Sequence, residues 1–109
     1  KANFTPWTHG LRIDPLPDIL VNATSVGLDD ADAIPDIETE SLESSLFVAD
    51  VIPNPPQTAL LRKAADKGCR TLNGLNMLVN QGALNLTYWF DKEADKEPMR
   101  KVLQKLFTG

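Results

Sequence analysis

Apolar residues fall along this chain in short bursts rather than in one long run. Ile19, Leu20 and Val21, within DILVNATSVG, form a continuous apolar run that predicts a short strand covered on both faces. SLFVADVI, residues 45–52, predicts a second strand, and CRTL, residues 69–72, a third. Between these two, Leu60, Leu61, Ala64 and Ala65 give ALLRKAADKG the stripe of an amphipathic helix. Thr58 is placed as its N-cap and Gly68 as its C′ residue. Met77 to Phe90 predicts a second helix, apolar on nearly every side. Pro98 fits the first turn of a third. There Met99, Val102, Leu103, Leu106 and Phe107 follow the i, i+3, i+4, i+7, i+8 spacing. Asn3 to Trp7 is expected as a short strand ahead of a loop.

The order strand, strand, helix, strand, helix, helix implies parallel pairing through crossovers, and an α/β class. PNPP, residues 53–56, punctuates the chain after the second strand. Residues 28–44, LDDADAIPDIETESLES, are acidic and without period. A loop that long is expected to be functional or mobile.

Composition narrows the function classes. The chain has 109 residues, enough for one domain, and a formal net charge of −4 with no Lys/Arg cluster. That argues against nucleic acid as a partner. No apolar run approaches the roughly 20 residues of a membrane span. One cysteine, Cys69, excludes an internal disulfide and a Cys-rich zinc site, and fits a reducing, cytoplasmic compartment. The first residue is Lys1, not Met, and nothing there resembles a signal peptide. The chain is therefore expected to be a piece of something larger.

Ligands of open parallel sheets bind beyond the carboxyl ends of the strands. Those ends here read NATSVG, ADVIPNP and NGLN. Together they offer backbone N–H groups, hydroxyls and side-chain amides, a wall for a polar cofactor. They are also the residues of ordinary turns. On the second helix Met77, Gln81, Leu84 and Tyr88 share one stripe. Gln81 there either bonds neighbouring backbone or aims its amide at a hydroxyl-bearing ligand. Weaker candidates read as structural. His9 stands alone in a loop, and Asp29, Asp30, Asp32 and Asp36 lack the spacing of an EF-hand. No metal site is expected. Cys69 reads as a small core residue, and Trp7, Trp89 and Phe90 as packing residues. No GxGxxG or P-loop is present, and no acid–base pair stands out, so no catalytic residue is assigned.

DILVNATSVGL (18–28), VADVIPNPPQTALL (48–61) and GCRTLNGLNMLVNQGAL (68–84) together resemble the C-terminal part of shikimate dehydrogenases, including the shikimate/quinate and shikimate-dehydrogenase-like branches. The resemblance covers about Pro17 to Phe107. It implies the second half of a Rossmann-type nucleotide-binding domain plus closing C-terminal helices. The N-terminal substrate domain, its catalytic Lys–Asp pair and the glycine-rich loop would lie outside residues 1–109. It implies reversible oxidation of a shikimate-type hydroxyl with NADP, or NAD, as hydride acceptor, within aromatic amino acid biosynthesis. Partners would be a small-molecule substrate, the N-terminal portion of the same enzyme and a second copy in a homodimer. Carried over by position, Asn22, Ala23, Thr24 and Ser25 would line the cofactor, with Val51 near the nicotinamide. Gly74 would approach the nicotinamide through its backbone, Met77 would pack by the same ring, and Gln81 would hydrogen-bond a substrate hydroxyl.

Two departures bear on the substrate. Pro53 stands where typical members carry a tyrosine that helps hold it, and NGLNM replaces DGLGM. Asn76, in place of a glycine, is a candidate N-cap of the helix. These departures point to a divergent member acting on quinate, an aminated analogue or another cyclic hydroxy acid. The alternative is a non-catalytic nucleotide-domain remnant that serves as a binding module.

Overall fold

The computed structural model describes residues 1–108. Its elements run β1 (Ile19–Asn22), a 3-10 turn (Thr39–Ser41), β2 (Phe47–Asp50), α1 (Ala59–Asp66), β3 (Arg70–Leu72), α2 (Leu75–Phe90) and α3 (Lys96–Thr108). Strands β1, β2 and β3 lie in that order in one parallel sheet. Ile19 pairs with Phe47 and Phe47 with Arg70; Asn22 pairs with Asp50. Parallel pairing brings the C-terminal ends of the strands to one edge, as the apolar bursts predict.

One face of the sheet is covered and the other is not. Val48 packs with Leu46, Leu60, Leu61, Ala64 and Cys69, all buried, and Leu20 packs against this cluster. Each such leucine contributes about 2 kcal/mol by leaving water. Ala65, expected on the buried stripe of α1, faces solvent. On the opposite face Ile19 is 60% exposed, Val21 52% and Leu72 44%. The expectation that β1 is covered on both faces is therefore corrected: α1 packs on one side of β2 and β3, and no described element lies over the other.

The segment from Leu28 to Ser44 holds one 3-10 turn and is not a free loop. Pro35, Ser41 and Leu42 are buried, and Ile34 and Ile37 pack on the core. Leu11 bridges Ile37, with Leu11 N–H on Asp36 O at 2.8 Å and Glu38 N–H on Leu11 O at 2.9 Å. The indole of Trp7 donates to Asp36 O at 2.8 Å. Arg62 pairs with Asp32 at 2.7 Å, and Lys67 pairs with Glu40. This pairing replaces the strand expected over Asn3–Trp7, whose backbone finds no ladder partner among the described residues.

The helices start and stop for local reasons. Thr58 Oγ1 accepts from Leu61 N–H at 3.4 Å, capping α1, and Gly68 ends it at φ +81°. Helix α2 begins two residues before Met77, because Leu75 is buried and its N–H finds Asn73 Oδ1 at 3.2 Å. Asn76 thus lies inside the helix rather than capping it. Its Oδ1 accepts from Arg100 Nε at 3.2 Å, tying α3 to the first turn of α2. Asp91, at φ 50°, closes α2, and Asp95 Oδ1 accepts from Glu97 N–H at the start of α3.

Helix α2 packs chiefly on α3, where a Cβ on Gly82 would stand 2.8 Å from Met99 Cε. It buries Leu75, Val79 and Ala83 only. Met77, Leu84, Tyr88, Trp89 and Phe90 are exposed, as are Val102 and Leu106 of α3. The apolar run in this helix is therefore not a sign of all-round burial, and Trp89 and Phe90 are not packing residues here. No helix among the described residues is long and apolar enough to cross a membrane.

Candidate functional site

The site begins with two buried polar side chains in register. Asn22 ends β1 and Asp50 ends β2, with 5% and 3% of their surface exposed. Asn22 Nδ2 donates to both Asp50 oxygens, each at 3.2 Å, and to Val26 O at 3.3 Å. Asn22 Oδ1 accepts from Thr24 N–H at 3.1 Å and from the Thr24 hydroxyl at 2.7 Å. Thr24 Oγ1 in turn accepts from Val26 N–H at 3.2 Å. One asparagine thereby folds Asn22–Val26 into a tight turn that leaves Ala23, Thr24 and Ser25 exposed.

Asp50 gathers donors from further segments. Its Oδ1 accepts from Ile52 N–H at 3.0 Å, and its Oδ2 from the Thr58 hydroxyl at 2.8 Å. No cation pairs with it among the described residues, so neutral donors alone offset its desolvation. The network joins the turn after β1, the loop after β2 and the N-terminus of α1.

The third strand end joins by close backbone contact. Val51 N–H donates to Asn22 O at 3.1 Å. A Cβ on Gly74 would lie 2.3 Å from Val51 O and 2.6 Å from Ile52 C. Gly74 is itself buried, so the space denied to a side chain belongs to the Val51–Ile52 backbone. Asn22 to Ser25, Val51 and Gly74 are thus contiguous at one sheet edge. Met77, on the first turn of α2, is 48% exposed, and Gln81 one turn later is exposed and makes no side-chain hydrogen bond among the described residues. Gln81 does not bond neighbouring backbone.

The arrangement offers a polar cofactor a set of unengaged groups. The Ser25 hydroxyl has no hydrogen-bond partner among the described residues, and Ala23 lets a ligand approach the backbone closely. A cavity of about 150 Å³ adjoins the turn, between Trp7, Leu20, Thr24 and Ile37. It is well below the roughly 300 Å³ at which ligand pockets begin, so the open edge rather than this cavity is the candidate.

Asp50 was not singled out from the sequence, and Thr58 was read there only as a helix cap. A signal was present, since Asp50 is the one acid inside the apolar stretch LFVADVI. The weaker candidates stay apart. His9 is exposed, and no three metal-ligating side chains come together among the described residues. Cys69 Sγ donates to Glu43 O at 3.1 Å, and burial pushes its thiol up.

Residues 74–104 match the family model of the shikimate 5'-dehydrogenase C-terminal domain. Over 91 residues the chain is 38% identical to the shikimate dehydrogenase (NADP(+)) of Shouchella clausii, covering 84% of this chain and 33% of that protein. Two crystal structures share its fold. One is the ligand-free 5-ketofructose reductase of Gluconobacter sp. strain CHM43, with a TM-score of 0.84 and 46% identity, covering 93% of this chain and 36% of the other. The second is a shikimate dehydrogenase in complex with NADP+, with a TM-score of 0.83 and 34% identity, covering 91% and 34%. The chain spans about a third of the length of the curated relatives it matches.

Proposed function

We propose, from the chain's place in the shikimate dehydrogenase family as the match to its C-terminal third, that it forms the second half of a nucleotide-binding domain in an NADP-dependent oxidoreductase. The substrate is a shikimate- or quinate-type hydroxy acid, oxidised reversibly to the 3-dehydro ketone. The observation that carries this reading is the convergence of Asn22–Ser25, Val51 and Gly74 at one sheet edge. NADP, when bound, supplies the hydride-accepting ring. Asn22 to Ser25 would line the cofactor, Val51 would lie toward the nicotinamide, Gly74 keeps the third strand end close, and Met77 would pack beside the ring. Gln81, with its amide unengaged, bonds a substrate hydroxyl. These contacts hold carbinol carbon and ring within reach of each other, which removes much of the entropic barrier to transfer. The hydroxyl proton goes to a group outside residues 1–109, in the substrate domain. The same reading places the enzyme in the cytoplasm, in the route to chorismate, as a homodimer.

A second substrate reading has one observation in its favour. The structure that is 46% identical is a 5-ketofructose reductase. A polyhydroxylated keto sugar presents Gln81 with the same hydroxyl chemistry.

The test is NADPH and NADH consumption by the whole polypeptide with 3-dehydroshikimate, 3-dehydroquinate and 5-ketofructose. Turnover is expected with NADPH and one of the two keto acids. Turnover with the keto sugar alone would establish the second reading. NADPH binding without turnover of any of the three would make the protein a binding module. In the active enzyme, Gln81→Ala is expected to raise the substrate KM about tenfold, the worth of one hydrogen bond, and to leave the NADP KM unchanged. An unaltered substrate KM would remove Gln81 from the site.

A further inference from the structure

We propose that Asp50 is a positioning residue for the cofactor side of this site, setting where the Asn22–Val26 turn stands against the Val51–Ile52 loop. The proposal rests on the dehydrogenase reading above. A buried carboxylate without a cation is costly, and neither the strand pairing nor the cap of α1 requires it. The ladder already joins β1 to β2, and Thr58 already caps α1 through Leu61. What Asp50 adds is convergence. Donors from Asn22, Ile52 and Thr58 meet on its two oxygens, at 2.8 to 3.2 Å. Two of those three donors belong to the segments that line the proposed cofactor site or adjoin them directly.

Both oxygen positions are surrounded by donors, so an acceptor fits each. Ile52 contributes a backbone N–H, which cannot be reversed. An amide at residue 50 must therefore keep its oxygen toward Ile52 and place its NH2 where Oδ2 stands, 3.2 Å from Asn22 Nδ2. Asn22 cannot turn over to relieve this, because its Oδ1 is held by Thr24 N–H and the Thr24 hydroxyl. The bond from Asn22 Nδ2 to the remaining oxygen persists, but its partner contact becomes NH2 facing NH2, and the two groups must move apart. That displacement of the Asn22 side chain moves the turn that carries Ala23 and Ser25.

The experiment uses the whole active polypeptide and three variants. Asp50→Asn is expected to raise the NADP KM and to lower kcat, each by about tenfold, the size expected for a hydrogen bond to a charged group. Thr58→Val, which withdraws one donor from outside the cofactor wall, should move both constants the same way by about threefold. Ser41→Ala removes a buried hydroxyl elsewhere, bonded to Ile13 N–H and Glu38 O. It should lower the thermal midpoint and leave both constants alone. Folded Asp50→Asn with KM and kcat within twofold of the parent would overturn the proposal. If Asp50→Asn does not fold, unchanged constants in Thr58→Val overturn it equally. A parent protein that neither binds nor turns over NADP would instead overturn the dehydrogenase reading, and the proposal with it.

Discussion

Gly74 shows how a single residue can be legible in sequence for an incomplete reason. The NGLN turn and the family resemblance both mark it as a place where backbone must come close. The structure supplies the neighbour, since its absent Cβ would stand 2.3 Å from Val51 O and 2.5 Å from Val51 C. Main-chain atoms cannot swing aside as a side-chain tip can, so Gly74→Ala must push the NGLN turn away from the β2 end. We expect a loss of about 3 kcal/mol, read as a lower urea midpoint with unchanged slope. A midpoint equal to the parent's would mean that the two segments part freely. Gln81 stood out as a glutamine on an apolar stripe, but whether its amide bonds backbone was left open until the structure showed it exposed. Asp50 was not singled out, although it is as anomalous in its strand, because its meaning lies in partners from three separate segments. No local pattern announces such a meeting.

Elements were read best where both ends carry chemistry of their own. Thr58 and Gly68 delimit α1, and the helix follows between them. β1 was read correctly as a strand and wrongly as fully covered, because an apolar run reports affinity for a covering layer and not the layer's presence. The same holds for α2, whose start also moved to Leu75 once Asn73 served as acceptor. The acidic stretch was unreadable as structure because its order is tertiary: it rests on Leu11, Trp7, Arg62 and Lys67. At this scale a pH test applies. Lys67, as hydrogen-bond donor and neighbouring charge, holds the Glu40 carboxyl below its ordinary 4.5. A carboxyl lowered by folding stabilises the native state above its unfolded pKa, and that contribution is lost as pH falls through the lowered value. The parent should therefore exceed Glu40→Gln in stability by a small margin above pH 4.5, closing on acidification. A gap that widened in acid would contradict the pairing.

For the molecule as a whole, shape and surface tell one story. The radius of gyration is 15.8 Å, against about 13 Å for a compact domain of this length. The excess fits an α2–α3 pair that packs on itself more than on the sheet. Two apolar surfaces stay open, one at Ile19, Val21 and Leu72, the other along Met77, Leu84 and Tyr88. Both β1 and β3 also present unpaired edges. Residues 1–109 expressed alone should therefore self-associate, with light scattering giving a mass well above 12.0 kDa. A monodisperse 12.0 kDa species at tens of micromolar would refute this. Trp89, 72% exposed in the last turn of α2, beside the stripe of Met77, Leu84 and Tyr88, serves as an optical gauge of its own surroundings. The chain has two tryptophans, and Trp7→Phe would leave Trp89 as its single indole. Its emission would then move toward the blue only when something excludes water from the C-terminal end of α2. The protein carries within itself, undyed, the signal for whether that part of the helix is covered.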